Sequence, residues 1–233
     1  MCSSDLDWAE RAAAFFVAEG YVVLVPMRRG YGQSPGEADD RTSGPCSNPD
    51  YTDAGLRVGR QIMAIAAYMR QQPFVDASRV ILAGQSAGGF GSLAAASLGP
   101  PGVIAVINFA GGRGSRAAND VCGEARLVDA VGHFGQSTRV PSIWLYAEND
   151  LFFRPELARR MHAAYALGGM RTTIHILGRY GADGHGFMRR ADSGGEWQPL
   201  IKEFLASLGP APGPAPRQAP RTQRQAPEER RVQ

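Results

Sequence analysis

The chain has 233 residues, of which 44% are hydrophobic and 20% are charged, and its formal net charge is +3. These values are typical of a globular protein, and the length suits one α/β domain with a full core. Residues 209–233 contain five arginines and two glutamates, so the rest of the chain is nearly neutral. This distribution argues against a nucleic-acid-binding face. Because no apolar run approaches the length of a membrane span, we expect no such span either.

Helices and strands are predicted to alternate between residues 7 and 208. Apolar residues at helical spacing indicate helices, and continuous apolar runs indicate parallel strands that are buried on both faces. The predicted helices cover residues 7–20, 53–72, 87–98, 124–134, 155–167 and 196–208. The predicted strands cover residues 21–27, 80–85, 103–109, 141–147 and 172–177. This alternation predicts one α/β domain over 7–208, with a parallel sheet flanked by helices on both faces.

The two ends of the chain lie outside this pattern. Residues 1–6 have neither the basic and apolar regions of a signal peptide nor the features of a strand. Since the alternation begins at a helix, we expect the early strands of the fold to be missing, so that the chain is an N-terminally truncated fragment. Residues 209–233 are rich in Pro, Ala, Arg and Gln without apolar periodicity, which predicts a disordered tail.

A nucleophile is predicted where the strand at 80–85 meets the following helix. The residues at this junction, 84–88, read Gly-Gln-Ser-Ala-Gly. G-x-S-x-G between a strand and a helix is the pattern of a nucleophile elbow, which holds a serine on a strained turn above the sheet edge. We therefore predict Ser86 as the nucleophile and the backbone N–H of Ala87 as an oxyanion donor. Gly84 and Gly88 are expected because side chains there would collide as the backbone reverses.

A base and an acid are predicted further along the chain. Asp150 lies just past the strand at 141–147, and His185 lies in a Gly-rich loop after the last strand. The order Ser, Asp, His is that of α/β-hydrolases. We predict a triad in which His185 takes the proton of Ser86 and Asp150 orients the imidazole.

Other acids and histidines compete for these roles. Glu148 can point the same way as Asp150, since residues on a strand alternate sides, but Asp150 lies at the loop edge and is favoured. Asp183 is too close in sequence to His185 to be the expected acid. The remaining histidines are interpreted as structural or solvated; they are His133, His162 and His175.

The walls of the site are predicted from segments that follow strands. Residues 109–113 and 151–153 should border Ser86, because the carboxyl ends of parallel strands meet at one edge. Arg113 either binds a substrate carboxylate or is a solvated loop residue, and we favour the second. The pair Phe152 and Phe153 either shapes an apolar pocket or packs the following helix, and we favour packing.

These motifs resemble those of the α/β-hydrolase superfamily, most closely the dienelactone hydrolase and prolyl-oligopeptidase-like serine hydrolases of bacteria. The matching residues are Pro26-Met-Arg-Arg-Gly-Tyr-Gly-Gln-Ser, Gly84-Gln-Ser-Ala-Gly-Gly, Tyr146-Ala-Glu-Asn-Asp and Asp183-Gly-His-Gly. The resemblance implies hydrolysis of esters or related acyl bonds of a small molecule through an acyl-enzyme, without a cofactor or metal. Dienelactone hydrolases proper use cysteine where this chain has Ser86, and the family's His-Gly oxyanion loop is absent. The alternatives are a truncated hydrolase fragment that is weakly active or inactive, and a small-peptide serine peptidase of the same superfamily.

Two cysteines lie in loops that should leave the same edge of the sheet. Cys46 precedes the second predicted helix, and Cys122 precedes the fourth. A disulfide between them would favour an oxidising compartment, the periplasm or the exterior, whereas two free thiols would suit a cytosolic enzyme. The sequence alone does not decide between the disulfide and the two free thiols.

Overall fold

The computed structural model describes residues 7–38 and 41–209, without the side chains of residues 7–9. The predicted tail therefore lies outside the described residues, except for Gly209. The helices are α1 (Asp7–Ala18), α2 (Tyr51–Met69), α3 (Ala87–Ser97), α4 (Glu124–Ser137), α5 (Pro155–Ala166) and α6 (Gly194–Ser207), and a 3₁₀ turn spans Phe187–Arg189. The strands are β1 (Val80–Gln85), β2 (Val103–Phe109), β3 (Ser115–Ala117), β4 (Asp120–Val121), β5 (Ser142–Ala147) and β6 (Thr172–Leu177).

Four of the strands form a parallel sheet in the order β1–β2–β5–β6. Gln85 pairs with Phe109, and Phe109 pairs with Leu145, so the carboxyl ends of β1, β2 and β5 lie side by side. Every residue of β5 is buried, as expected for a strand covered on both faces. The sheet thus brings the segments that follow these three strands to a common rim.

Helices cover both faces of this sheet. Neighbouring residues on β2 point to opposite faces. Asn108 lies against Gly89 of α3, whereas the ring of Phe109 packs on Trp197 of α6 with centroids 5.5 Å apart. Phe15 of α1 also packs on Trp197, with centroids 4.9 Å apart. The predicted α/β arrangement with two helical layers is therefore the one observed.

The prediction of a strand at residues 21–27 is wrong. No strand among the described residues pairs with this segment. Its residues alternate between half-buried and exposed, with Val22 56% and Leu24 46% exposed. A strand needs a neighbour to complete its backbone hydrogen bonds, and an apolar run alone does not supply one.

The short antiparallel hairpin β3–β4 lies where the sequence predicts only a loop, and it is tied to the segment before α2. A disulfide joins Cys46 to Cys122, with Cα atoms 4.7 Å apart. Beside it, the hydroxyl of Tyr51 donates to the carbonyl of Cys122 at 2.6 Å. Burial raises the pKa of Tyr51 to about 12, so this hydroxyl keeps its proton at neutral pH.

Within the two described ranges, no helix is both long enough and apolar enough to cross a membrane.

Candidate active site

Ser86 lies in a strained turn between β1 and α3. Its backbone has φ 55° and ψ −123°, a conformation that costs a non-glycine residue about 1–3 kcal/mol and is concentrated at functional sites. Three backbone hydrogen bonds hold the turn. The N–H of Ser86 donates to Phe109 at 3.0 Å, and its carbonyl accepts from the N–H groups of Phe90 and Gly112, both at 3.1 Å. Ser86 is partly exposed and therefore reachable by a substrate.

The two glycines of the pattern have different roles. A Cβ on Gly84 would lie 2.3 Å from the carbonyl carbon of Gly88, so only glycine fits at position 84. Nothing lies within 4 Å of a Cβ on Gly88, and the expectation of a collision at that position is wrong. On the helix side of Ser86 the close approach falls at Gly89 instead, where a Cβ would lie 2.9 Å from the carbonyl oxygen of Gly84.

Asp150 and His185 are in direct contact. The imidazole Nδ1 lies 3.0 Å from Oδ2 and 3.2 Å from Oδ1 of the carboxylate. A carboxylate only accepts hydrogen bonds, so Nδ1 carries a proton, and in the neutral imidazole the lone pair is then on Nε2. The Asp150 side chain is fully buried, and the His185 side chain is 12% exposed. This pair has the tautomer that a general base requires.

The backbone after β5 fixes the orientation of the Asp150 carboxylate. Its Oδ1 accepts hydrogen bonds from the N–H groups of Phe152 and Phe153, both at 2.8 Å. Hydrogen bonds to a buried carboxylate replace part of the hydration that it loses. These bonds fix the plane of the carboxylate and leave Oδ2 as the oxygen nearest to Nδ1 of His185.

The loop that carries His185 is bonded to the ends of β1 and β5. The Nε2 of Gln85, the residue before Ser86, donates to the carbonyl of His185 at 2.7 Å. Asp183 accepts the N–H of His185 at 2.9 Å and that of Leu151 at 3.1 Å. These bonds place the imidazole at the same rim as Ser86. Asp183 therefore contacts the backbone of the loop rather than the imidazole.

Ser86 and His185 make no hydrogen bond to each other among the described residues. Such bonds are often long in enzymes without substrate and tighten in the complex. Asp150 thus contacts the imidazole directly, whereas Ser86 is connected to the loop of His185 through the side chain of its neighbour Gln85.

Aromatic rings border the imidazole on one side. Phe152 is 37% exposed and stacks on His185 with centroids 4.5 Å apart. Phe153 is buried, lies 5.5 Å from the same imidazole and packs against Gly112. The segments 109–113 and 151–153 therefore meet beside Ser86. Arg113, at the edge of this wall, donates from Nε to Thr42 at 3.2 Å.

The competing acid and histidines lie elsewhere. Glu148 has an exposed side chain 4.0 Å from Arg179. His133 is exposed on α4, and His175 is partly buried on β6. His162 on α5 lies 3.1 Å from the hydroxyl of Thr172, and burial lowers its pKa. In the part of the chain that the structure describes, no group of three or more His, Cys, Asp or Glu residues could hold a metal ion.

Sequence reasoning missed two supporting residues, Gln85 and Asn149. The side chain of Asn149 accepts the N–H of Tyr180 at 2.9 Å and donates to the carbonyl of Gly181 at 3.0 Å. It thus bonds the start of the histidine loop to the end of β5. The sequence signal for Asn149 is its position directly before Asp150, because the side chains of a functional site need neighbouring residues that hold them in place.

Comparison with known proteins identifies the family. The family model "Dienelactone hydrolase family" matches residues 6–203. The chain belongs to the dienelactone hydrolase family. Among curated proteins, none matches its sequence.

Solved structures share the fold of this dienelactone hydrolase family member at low sequence identity. A CIB-like hydrolase from Thermoplasma acidophilum is 15% identical with a TM-score of 0.56, over 87% of this chain and 80% of that one. An esterase from Pyrococcus furiosus is 13% identical with a TM-score of 0.63, over 87% and 76%. Est1E from Butyrivibrio proteoclasticus, solved with ferulic acid, is 16% identical with a TM-score of 0.60, over 88% and 84%. These likenesses show the α/β-hydrolase fold.

Proposed function

We propose that this member of the dienelactone hydrolase family is a serine hydrolase that cleaves carboxylic esters of small molecules through an acyl-enzyme. One observation carries the proposal. A strained, accessible serine between a strand and a helix shares a rim with a buried carboxylate–imidazole pair of the correct tautomer. Nucleophile, base and orienting acid are recognised by such geometry and roles rather than by sequence position.

The proposed reaction has two halves. Nε2 of His185 takes the proton of Ser86 as Oγ attacks the ester carbonyl, and the imidazolium then protonates the departing alkoxide. A water molecule next attacks the acyl-enzyme, with His185 as base again. The proton returns to Oγ as the carboxylic acid leaves. Asp150 holds the tautomer and stabilises the imidazolium in both halves.

The oxyanion of each tetrahedral intermediate would be stabilised by the N–H of Ala87. Ala87 is the first residue of α3, and the first N–H groups of a helix have no acceptor within the helix. An alkoxide leaves more readily than an amine, so a site with one identified donor suits esters, and activated esters first of all. The shared fold with the P. furiosus esterase adds an analogy to this argument.

A fluorophosphonate probe and p-nitrophenyl acetate test the proposal together. We expect the wild-type protein to be labelled and to hydrolyse the ester, and Ser86→Ala to lose the label and at least about a thousandfold in kcat. Ser97→Ala is the matched control, because Ser97 is the last residue of the helix that follows Ser86. Its hydroxyl donates to the carbonyl of Ala94. This variant should behave like wild type. Labelling or hydrolysis that survives in Ser86→Ala overturns the proposal.

The preference for esters needs a second comparison. We expect kcat/KM for p-nitrophenyl acetate to exceed that for aminoacyl p-nitroanilides. If the anilides are the better substrates and the activity still depends on Ser86, the ester assignment is wrong and the chain is a peptidase.

A further inference from the structure

A chain of hydrogen bonds runs from the buried hydroxyl of Tyr146 to the backbone of Ser86. Tyr146 is a buried residue of β5, and its hydroxyl donates to the carbonyl of Gly111 at 2.5 Å. The Nδ2 of Asn108 donates to the same hydroxyl at 3.3 Å. A phenol has one proton, so an amide that donates to its oxygen leaves that proton for Gly111. Burial raises the pKa of Tyr146 far above its ordinary value, so the proton stays in place.

Two planar peptide units continue this chain. The carbonyl of Gly111 and the N–H of Gly112 belong to one peptide plane and point in opposite directions, so fixing the first fixes the second. The N–H of Gly112 donates to the carbonyl of Ser86 at 3.1 Å. That carbonyl shares its own plane with the N–H of Ala87, again in opposite directions. The hydroxyl of Tyr146 therefore helps to set, through two rigid planes, the orientation of the proposed oxyanion donor, alongside the N–H of Phe90 on the same Ser86 carbonyl.

The segment between Tyr146 and Ser86 is closely packed and strained. A Cβ on Gly111 would lie 1.9 Å from Oδ1 of Asn108, and one on Gly112 would lie 2.5 Å from the ring of Phe153. The preceding residue, Ala110, has φ 48°, which a residue with a Cβ adopts at a cost of about 1–3 kcal/mol. A strained backbone of this kind persists only where surrounding contacts hold it in place. The hydrogen bond from the Tyr146 hydroxyl is one of those contacts.

We propose that Tyr146 is a positioning residue that aligns the N–H of Ala87 with the oxyanion by fixing the Gly111–Gly112 peptide. This inference rests on the proposed function and deepens it. Tyr146 does not touch the substrate, so its loss should weaken binding of the tetrahedral intermediate but not of the planar ester.

The test compares Tyr146→Phe with Tyr165→Phe. Tyr165 also carries a buried hydroxyl and packs against Trp144, but it lies outside this chain of contacts. With p-nitrophenyl acetate, we expect Tyr146→Phe to lower kcat about tenfold with KM within about twofold, since the hydrogen bond that fixes the Gly111 carbonyl is lost. We expect Tyr165→Phe to keep the wild-type kcat.

A trifluoromethyl ketone supplies a second readout. Oγ of Ser86 adds to the carbonyl carbon of this ketone, and the Oγ proton passes to His185. The ketone oxygen then becomes the oxyanion of a tetrahedral adduct. We expect the Ki of the ketone to rise in Tyr146→Phe by the same factor as kcat falls. A role in stability alone would lower the melting temperature without this match between kcat and Ki.

The outcomes that would overturn the inference are as follows. Wild-type kcat and Ki in folded Tyr146→Phe, or an equal loss in Tyr165→Phe, overturns the inference. If Tyr146→Phe does not fold, Asn108→Ala replaces it, with an expected fall in kcat of about threefold at unchanged KM; wild-type kcat there also overturns the inference. Ser86→Ala in the same series distinguishes a failure of this inference from a failure of the proposed function. Activity that survives in Ser86→Ala overturns the proposed function instead.

Discussion

At the scale of single residues, the two oxygens of the Asp150 carboxylate have different sets of partners, although both lie within 3.2 Å of Nδ1 of His185. Oδ1 receives the N–H groups of Phe152 and Phe153, and Oδ2 lies nearest to Nδ1 of His185. An Asp side chain that bonds backbone N–H groups two and three residues ahead is a common local motif. Here the motif fixes the plane of the carboxylate, which keeps Oδ2 as the oxygen nearest to the imidazole.

This division predicts the outcome of Asp150→Asn. The amide oxygen should keep the two backbone N–H groups, which places the amide NH₂ opposite Nδ1. Two donors cannot face each other, so the imidazole should move its proton to Nε2 and cease to be a base for Ser86. We expect kcat for p-nitrophenyl acetate to fall by about 10³–10⁴ at pH 7 with little change in KM.

Glu148→Gln is the control for this variant, because Glu148 lies two residues away with an exposed side chain. Its kcat should stay within about twofold of wild type, as for other exposed surface substitutions. An equal loss in both variants, or wild-type kcat in Asp150→Asn, would show that Asp150 is not the orienting acid.

The contact between Asp150 and His185 could be predicted from the sequence, but their supports could not. The order of Ser86, Asp150 and His185 and their positions after strands suffice to bring them to one rim. Gln85 reaches a carbonyl 100 positions away, and Asn149 reaches an N–H 31 positions away. Those bonds depend on the path of two loops, which no local pattern encodes.

At the scale of elements, the sequence predicts strands well where a neighbour exists. The predicted strand at 172–177 has the bounds of β6, and the one at 141–147 differs from β5 by one residue. The run at 21–27 is equally apolar and is not a strand, because pairing is a property of two segments and hydrophobicity is a property of one. The strands β3 and β4 have three and two residues, too few for a periodic signal.

A charged pair joins α4 to the residue that precedes α5. Arg154, just before α5, donates from Nη2 to Oε2 of Glu124 at 3.0 Å, and its Nη1 contacts the other carboxylate oxygen. The hydrogen bond from Arg154 holds the pKa of Glu124 below its ordinary value of 4.5. A carboxyl whose pKa is lower in the folded state stabilises the fold above its unfolded pKa. That contribution is lost as the pH falls through the folded value.

We therefore expect Glu124→Gln to lower the free energy of unfolding by about 1 kcal/mol at pH 7, as for a partly buried, charge-assisted pair. The difference from wild type should shrink progressively below pH 4.5. Urea unfolding at pH 7 and at successively lower pH measures both effects. Glu203→Gln, on an exposed position of α6, should show neither. A deficit that persists undiminished in acid would mean that packing, not charge, connects the two helices.

At the scale of the whole molecule, the Cys46–Cys122 disulfide closes a loop with a sequence separation of 76. That loop contains β1, α3 and β2, and with them the elbow that carries Ser86. A crosslink of this length restricts the unfolded chain, and the chain-entropy estimate for it is about 4 kcal/mol. The hydrogen bonds of Asp150 and His185 involve neither cysteine. Stability and catalysis should therefore respond differently to its removal.

We expect the double variant Cys46→Ser/Cys122→Ser to lose about 2–4 kcal/mol of unfolding free energy and to keep kcat within about twofold at 25 °C. Dithiothreitol should lower the stability of wild type to the same level and leave the double variant unchanged, since both cysteines are partly exposed to the reductant. Thiol titration of unreduced, denatured wild type should find one free thiol among the three cysteines of the chain. Three free thiols in protein purified without reductant would mean that the crosslink does not form, and the predicted loss of stability would then have no basis.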